Sequence, residues 1–248
     1  MVNSASSSMQ QNALYASAFD GYQSSACTAS TLSSSAFSTS SLVERLRLAT
    51  AQTHAEAQYA LGCAYWFGRG ISQSYIEAVV WYRCAAEQGH VAAQYELGYA
   101  YWLGQGVTQS DDEAVTWFGA AAKQGHAHAQ CALGDAYWFG RGVTQSDIEA
   151  VAWYRCAAEQ GHGGAQHALG GVYLYGVGVA QSSVTAVSWY EQAAEQGFAQ
   201  AQLELGKLYQ TGKGDVAPHS DRATYWLRRA ALQGNEEASE ALRALNGS

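Results

Sequence analysis

The sequence predicts an all-α repeat protein made of five copies of a 36-residue helix-turn-helix unit. Two observations carry this. The pair Leu-Gly returns at 61/62, 97/98, 133/134, 169/170 and 205/206, always 36 residues apart. Each pair also has the same escort: Ala-Gln before it (57/58, 93/94, 129/130, 165/166, 201/202), Gly-x-Gly after it (68/70, 104/106, 140/142, 176/178, 212/214) and a Trp farther on (81, 117, 153, 189, 226). The last Trp comes one residue late because the loop around Pro218, the only proline, holds one extra residue.

Taken in chain order, residues 1–40 contain 13 Ser, one acid (Asp20) and no Lys or Arg. Their scattered apolar residues show no period and cannot offset chain entropy, so a disordered tail is expected. Ser-rich, charge-poor N-termini are also similar to the signals read by bacterial type III secretion, and export stays open as a second reading. Residues 41–54, opened by Ser41-Leu42-Val43-Glu44, predict an N-terminal capping helix. The five repeats span 55–90, 91–126, 127–162, 163–198 and 199–234. Residues 235–248 predict a C-terminal capping helix, in which Arg243 replaces the Gly of Leu-Gly. A repeat stack needs such caps because its end units otherwise expose the face that internal units bury.

Within a unit, Ala57, Leu61, Ala64 and Tyr65 form one helical stripe that stops at Gly68/Gly70: helix A. A second run, Ala78, Trp81, Tyr82, Ala85 and Ala86, stops at Gly89: helix B. Ser74-x-x-Glu77, Ser110-x-x-Glu113 and Ser146-x-x-Glu149 have capping-box spacing, so Ser and Glu are expected to satisfy each other's backbone N–H groups. Repeat 4, with Thr185 in place of the Glu, is expected to start less firmly.

Composition narrows the partners. A net charge of -8, with no basic cluster beyond the pair Arg228-Arg229, argues against nucleic acid. Five cysteines without C-x-x-C spacing read as free thiols in a reducing, cytoplasmic setting. No apolar run is long enough to span a bilayer, and the N-terminus lacks the pattern of a secretory signal.

The stretches AQYALGCAYWFGRG and IEAVVWYRCAAEQGH resemble the Sel-one-like repeat (SLR) family, a branch of the tetratricopeptide superfamily, over about residues 42–245. The resemblance implies a right-handed α-solenoid of antiparallel helix pairs that holds a protein or peptide partner, with no cofactor and no common catalytic residue. One departure is Ser74, Ser110, Ser146 and Ser182 where the family usually has Asp, a change that keeps the cap chemistry. Repeats 1 and 3 match at 26 of 31 positions across 60–90 and 132–162, which points to duplication of a two-repeat block.

On a helical wheel Tyr65 falls inside the core stripe, while Glu56, Tyr59, Cys63, Trp66 and Phe67 point another way. In related tetratricopeptide folds that second face lines a concave groove. Carried across, the resemblance places Tyr95, Tyr99, Trp102 and Leu103, then His128, Cys131, Asp135, Trp138 and Phe139, on the same surface, aromatic at one end and fading at Leu174, Tyr175, Gln210 and Thr211. Such a surface suits an extended segment whose apolar and guanidinium groups lie over aromatic faces. Trp66, Trp102 and Trp138 equally suit gap filling between successive A helices. Trp81, Trp117, Trp153 and Trp189 belong to the helix-B core stripe.

Chemistry is sparsely signalled. His128, Cys131 and Asp135 share one helix face, and His167 stands at the Cys131 position one repeat on. All are metal-ligand types, which leaves a metal-binding or hydrolytic reading as an alternative, against the plainer reading of a polar contact patch. His90, His126 and His162 read as inter-helix turn residues. Gly68-x-Gly70 lacks the third Gly of a dinucleotide loop. No Ser/His/Asp or Cys/His set has supporting context, so the chain reads as a non-enzyme. The favoured expectation is a noncatalytic adaptor, with an exported effector working through the same groove as the alternative; partner identity and oligomeric state are not encoded legibly.

Overall fold

The computed structural model describes residues 54–246. The tail expected over 1–40 lies outside these residues, as does all but His54 of the capping helix expected over 41–54. Among the described residues the chain forms α1 (Ala55–Phe67), α2 (Tyr75–Glu87), α3 (Val91–Leu103), α4 (Asp111–Lys123), α5 (Ala127–Phe139), α6 (Asp147–Glu159), α7 (Gly163–Tyr175), α8 (Ser183–Glu195), α9 (Ala199–Thr211), α10 (Ser220–Leu232) and α11 (Glu236–Asn246). Odd-numbered helices up to α9 are A helices, and even-numbered ones are B helices. The helices fall into two compact units, 54–146 and 147–246.

Each recurring dipeptide has a structural reason. In Leu-Gly, the Leu is fully buried and the Gly lets helix B of the same repeat come close: a Cβ on Gly62 would sit 2.6 Å from the Tyr82 ring, one on Gly98 2.7 Å from Phe118, and one on Gly206 2.5 Å from Leu227. In Ala-Gln, the buried Gln ties a repeat to the one before it. The side-chain amides of Gln94, Gln130, Gln166 and Gln202 donate to the carbonyls of Ala86, Ala122, Ala158 and Ala194, at the end of the preceding helix B. The carbonyl oxygens of Gln94, Gln166 and Gln202 accept from Gln124, Gln196 and Gln233. Both ends of the buried amide are thereby satisfied, which removes the penalty its burial would otherwise carry.

The Gly-x-Gly turn does two jobs. Its first glycine, such as Gly104 at φ 69, ends helix A in the left-handed region and donates its N–H to Ala100. The second makes close backbone contact with the preceding repeat: Gly106 packs on the Tyr75 carbonyl and Gly142 on that of Asp111, where a Cβ has no room. A loop glutamine completes the turn, with Gln73, Gln109, Gln145 and Gln181 donating to the carbonyls of Trp66, Trp102, Trp138 and Leu174.

The capping box expected at helix B is only half made. Ser74 and Ser110 accept from the backbone N–H of Glu77 and Glu113, but their own N–H groups donate to the carbonyls of Tyr65 and Tyr101 on helix A. The interhelix turn supplies that acceptor, so the glutamates have no return bond to make. Repeat 4 is capped no less fully: Ser182 accepts from the Thr185 N–H at 3.2 Å and donates its hydroxyl to the Thr185 hydroxyl at 2.8 Å. His90, His126 and His162 are more than turn residues. Each is the N-cap of helix A, its Nδ1 accepting from the backbone N–H of Ala93, Ala129 or Ala165. Asn235 caps α11 in the same way. α11 buries Ala238 against Leu203, Leu227 and Ala230 of the last repeat.

Candidate partner-binding site

In unit 54–146 helices α1 and α3 bury side chains beyond a single stripe, because each packs against its own helix B and against the neighbouring repeat. This corrects the wheel. Tyr65 is only half-buried, whereas Trp66 is 4% exposed, packed edge-on against Tyr75 at 4.8 Å and near Tyr82 at 5.8 Å. Trp102 is 7% exposed, lying between Phe118 at 5.8 Å and the Arg141 guanidinium, 3.5 Å above its ring. Arg141 is held there by a two-pronged bond to Asp111, at 2.6 and 3.1 Å. These two indoles fill space between helices and offer no open face. Trp138 keeps partial exposure. On the B helices Trp81, Trp117, Trp153 and Trp189 are half-buried, and the fully enclosed aromatics there are their neighbours Tyr82, Phe118, Tyr154 and Tyr190.

Tyr59 and Tyr95 are also buried, for a reason absent from any wheel. Each ring packs on the capping histidine of the next repeat, Tyr59 on His90 at 4.6 Å and Tyr95 on His126 at 4.8 Å. The His90 ring bridges further, its Nε2 lying 2.9 Å from Glu56 while Nδ1 accepts from Ala93. That pairing assigns the proton to Nε2. Cys63 is buried and accepts from the Tyr82 hydroxyl at 3.6 Å.

Of the predicted groove residues in this unit, Tyr99, His128, Asp135 and Trp138 on α3 and α5 are the ones left partly exposed. The buried Tyr95 ring lies 6.3 Å from Tyr99 and 5.9 Å from His128, itself 5.7 Å from His126. Burial, reinforced by Glu96, Tyr99, Cys131 and Asp135, raises Tyr95 well above the usual phenol range. Burial and the Glu96 charge push Tyr99 up to about 12. Burial and neighbouring His128 bring His126 down to about 4, and burial lowers His128 too. The four partly exposed side chains therefore combine a neutral imidazole, a neutral phenol, an indole and a carboxyl group. Burial, reinforced by Asp135, pushes the Cys131 thiol well above its usual range. Among the described residues no three His, Cys, Asp or Glu side chains are grouped to hold a metal ion.

In unit 147–246, His167 takes the place that Tyr59 and Tyr95 take earlier and packs near Tyr190 at 5.5 Å and Phe198 at 5.8 Å. It is 5% exposed, its Nδ1 has no protein partner, and burial lowers it to about 4. Beyond it lie half-exposed Tyr175 and a Glu204–Lys207–Glu237 group that sequence reasoning passed over because its members come from two helices and recur in no other repeat.

The Sel1 repeat family matches residues 55–90, 91–126, 127–162, 164–198 and 199–235. The chain belongs to this family. Sel1 repeat proteins generally mediate protein–protein interaction, and the paired-helix repeats described above are their solenoid fold. A Sel1 repeat protein from Oxalobacter formigenes is 34% identical, with a TM-score of 0.73 over 84% of this chain and 87% of its own. A protective antigen of uropathogenic Escherichia coli displaying an SLR fold is 36% identical, with a TM-score of 0.77 over 82% of this chain. The match spans only 44% of that antigen's length. An immunity protein of Pseudomonas aeruginosa, 20% identical with a TM-score of 0.53 over 92% of this chain and 83% of its own, shares the fold. No curated protein matches the chain. Among the described residues no helix is long and apolar enough to cross a membrane.

Proposed function

We propose that this Sel1 repeat chain is a noncatalytic adaptor that holds a protein or peptide segment against its A-helix face, in unit 54–146 through Tyr99, His128, Asp135 and Trp138. The observation that supports this reading is the contrast along the predicted face: Tyr59, Trp66, Tyr95, Trp102 and Cys131 are buried in packing, while these four keep partial exposure. Aromatic edges beside a carboxyl group and a neutral imidazole suit hydrogen bonding and ring contacts with a partner chain. The buried residues act as support that keeps the open four in place.

Asp135→Lys combined with Trp138→Ala is expected to abolish capture of the partner held by the wild-type chain, with helicity unchanged by circular dichroism. Val80→Lys, on an exposed position of helix B, is the control and is expected to leave capture intact. Retention of the same partner by the double variant would remove this reading.

A further inference from the structure

Repeat 4 differs from the others at one position of the A-helix face. Where repeats 1, 2, 3 and 5 carry Cys63, Tyr99, Asp135 and Lys207, it has Gly171. A Cβ built there meets a single neighbour, the Tyr190 hydroxyl at 3.6 Å. In repeat 1 the corresponding hydroxyl, Tyr82, is taken up by the Cys63 sulfur at 3.6 Å. Gly171 thus removes the side chain that occupies this hydroxyl in repeat 1 and leaves a notch in the helix face.

The groups around the notch are acceptors. His167, one helical turn before Gly171, has a buried Nδ1 with no protein partner, and burial keeps the ring neutral. Glu204 lies close enough to Tyr175 and Tyr190 to raise both phenols, behind the larger effect of their burial. The carboxylate is incompletely compensated: Lys207 lies 3.7 Å from Glu204 but 2.6 Å from Glu237, so one ammonium serves two carboxylates. Glu204 also accepts a 3.3 Å bond from Gln200. Tyr175, 52% exposed, already has a cation on its ring, with Lys213 of the same chain 4.4 Å from the centroid. A ring face that receives an ammonium, a shared carboxylate and two further acceptors together suit a flat group with many donors.

We propose that the Gly171 notch, bordered by Tyr190, His167, Glu204 and Tyr175, receives the guanidinium of an arginine side chain from a bound segment. The inference rests on the same view of the A-helix face as the contact face, applied to the other unit. An arginine stacks on Tyr175 in exchange for Lys213 and donates to Glu204, with the Tyr190 hydroxyl and His167 Nδ1 as further acceptors.

The test uses N-acetyl-arginine amide as the probe on the isotope-labelled full chain, following backbone amide resonances. Saturable shifts centred on Gly171 and Glu204 are expected. N-acetyl-citrulline amide, the neutral isostere, is expected to bind at least about tenfold more weakly, as is N-acetyl-lysine amide, which lacks the planar fork. Gly171→Tyr, which fills the notch with the residue repeat 2 uses, is expected to abolish the shifts, and Glu204→Gln to weaken them about tenfold, both with unchanged melting. Equal binding of citrulline or lysine amide, shifts that survive Gly171→Tyr, or no saturable shift at Gly171 would overturn the proposal. The probe needs no partner protein, so this result stands apart from the capture experiment on Asp135 and Trp138.

Discussion

At the scale of single residues, glycine and histidine explain most of what is unusual. Gly98 exists to admit Phe118, and Gly98→Ala places a methyl group 2.7 Å from that ring. The expected cost is about 1–3 kcal/mol, read as a lower urea midpoint, despite alanine's better helix propensity. His167 gives an acid-sensitive term whose sign is fixed by burial. Its folded pKa of about 4 lies below the ordinary 6.5, so above pH 6.5 neither state is protonated and nothing is lost. As pH falls from 6.5 toward 4, the unfolded chain takes up a proton that the folded chain refuses. Stability should fall by about 1.4 kcal/mol per pH unit, on the order of 3 kcal/mol by pH 4. His167→Leu, which installs the residue found at the equivalent Leu203, is expected to make the acid limb shallower in urea titrations at pH 7 and pH 4.5, with His126 and His128 supplying what remains. An equally steep limb in the variant would show that His167 is not its source.

At the scale of the helix, the caps are set by loop geometry as much as by residue type. The serine caps were legible because Ser with Glu three on is a local pattern. The missing return bond was not, since it depends on where the Tyr65 and Tyr101 carbonyls lie after the chain has turned. Histidine as the helix-A cap was missed for another reason: imidazole is an uncommon N-cap, and its Nδ1 works here only while unprotonated. His90→Ala is expected to cost about 1 kcal/mol, with further loss from the Tyr59 stack, while His90→Asn should restore the cap alone, as Asn235 does at α11. Thermal melts of the two variants separate the cap from the ring contact. Helix α11 covers Leu203 and Leu227, so a chain ending at 235 is expected to melt lower and bind a hydrophobic dye that the longer chain does not.

At the scale of the whole molecule, the period was the clearest signal and the binding face the least clear. Leu-Gly, Ala-Gln and Gly-x-Gly announce repeats because their roles are contacts every unit must make, so each copy keeps them. Which aromatics are open depends on long-range neighbours such as Arg141, Tyr75 and the capping histidines, and no wheel contains those. Trp66 and Trp102 therefore left the candidate surface, while Tyr99, His128, Asp135 and Trp138 stayed on it. The amide staples of Gln94 and Gln202 belong to separate neighbour pairs, so Gln94→Ala and Gln202→Ala are expected to lower the unfolding free energy from urea titrations additively, each by about 1–3 kcal/mol. The staple has an evolutionary corollary. Because repeats 2 to 5 each reach an amide back to the preceding unit, whose helix B offers the same carbonyl, a recombination event in register yields another workable chain, whereas one out of register strands a polar group. Length in such a lineage is inherited in whole modules, and the near-identity of the first and third units is the trace such a step would leave.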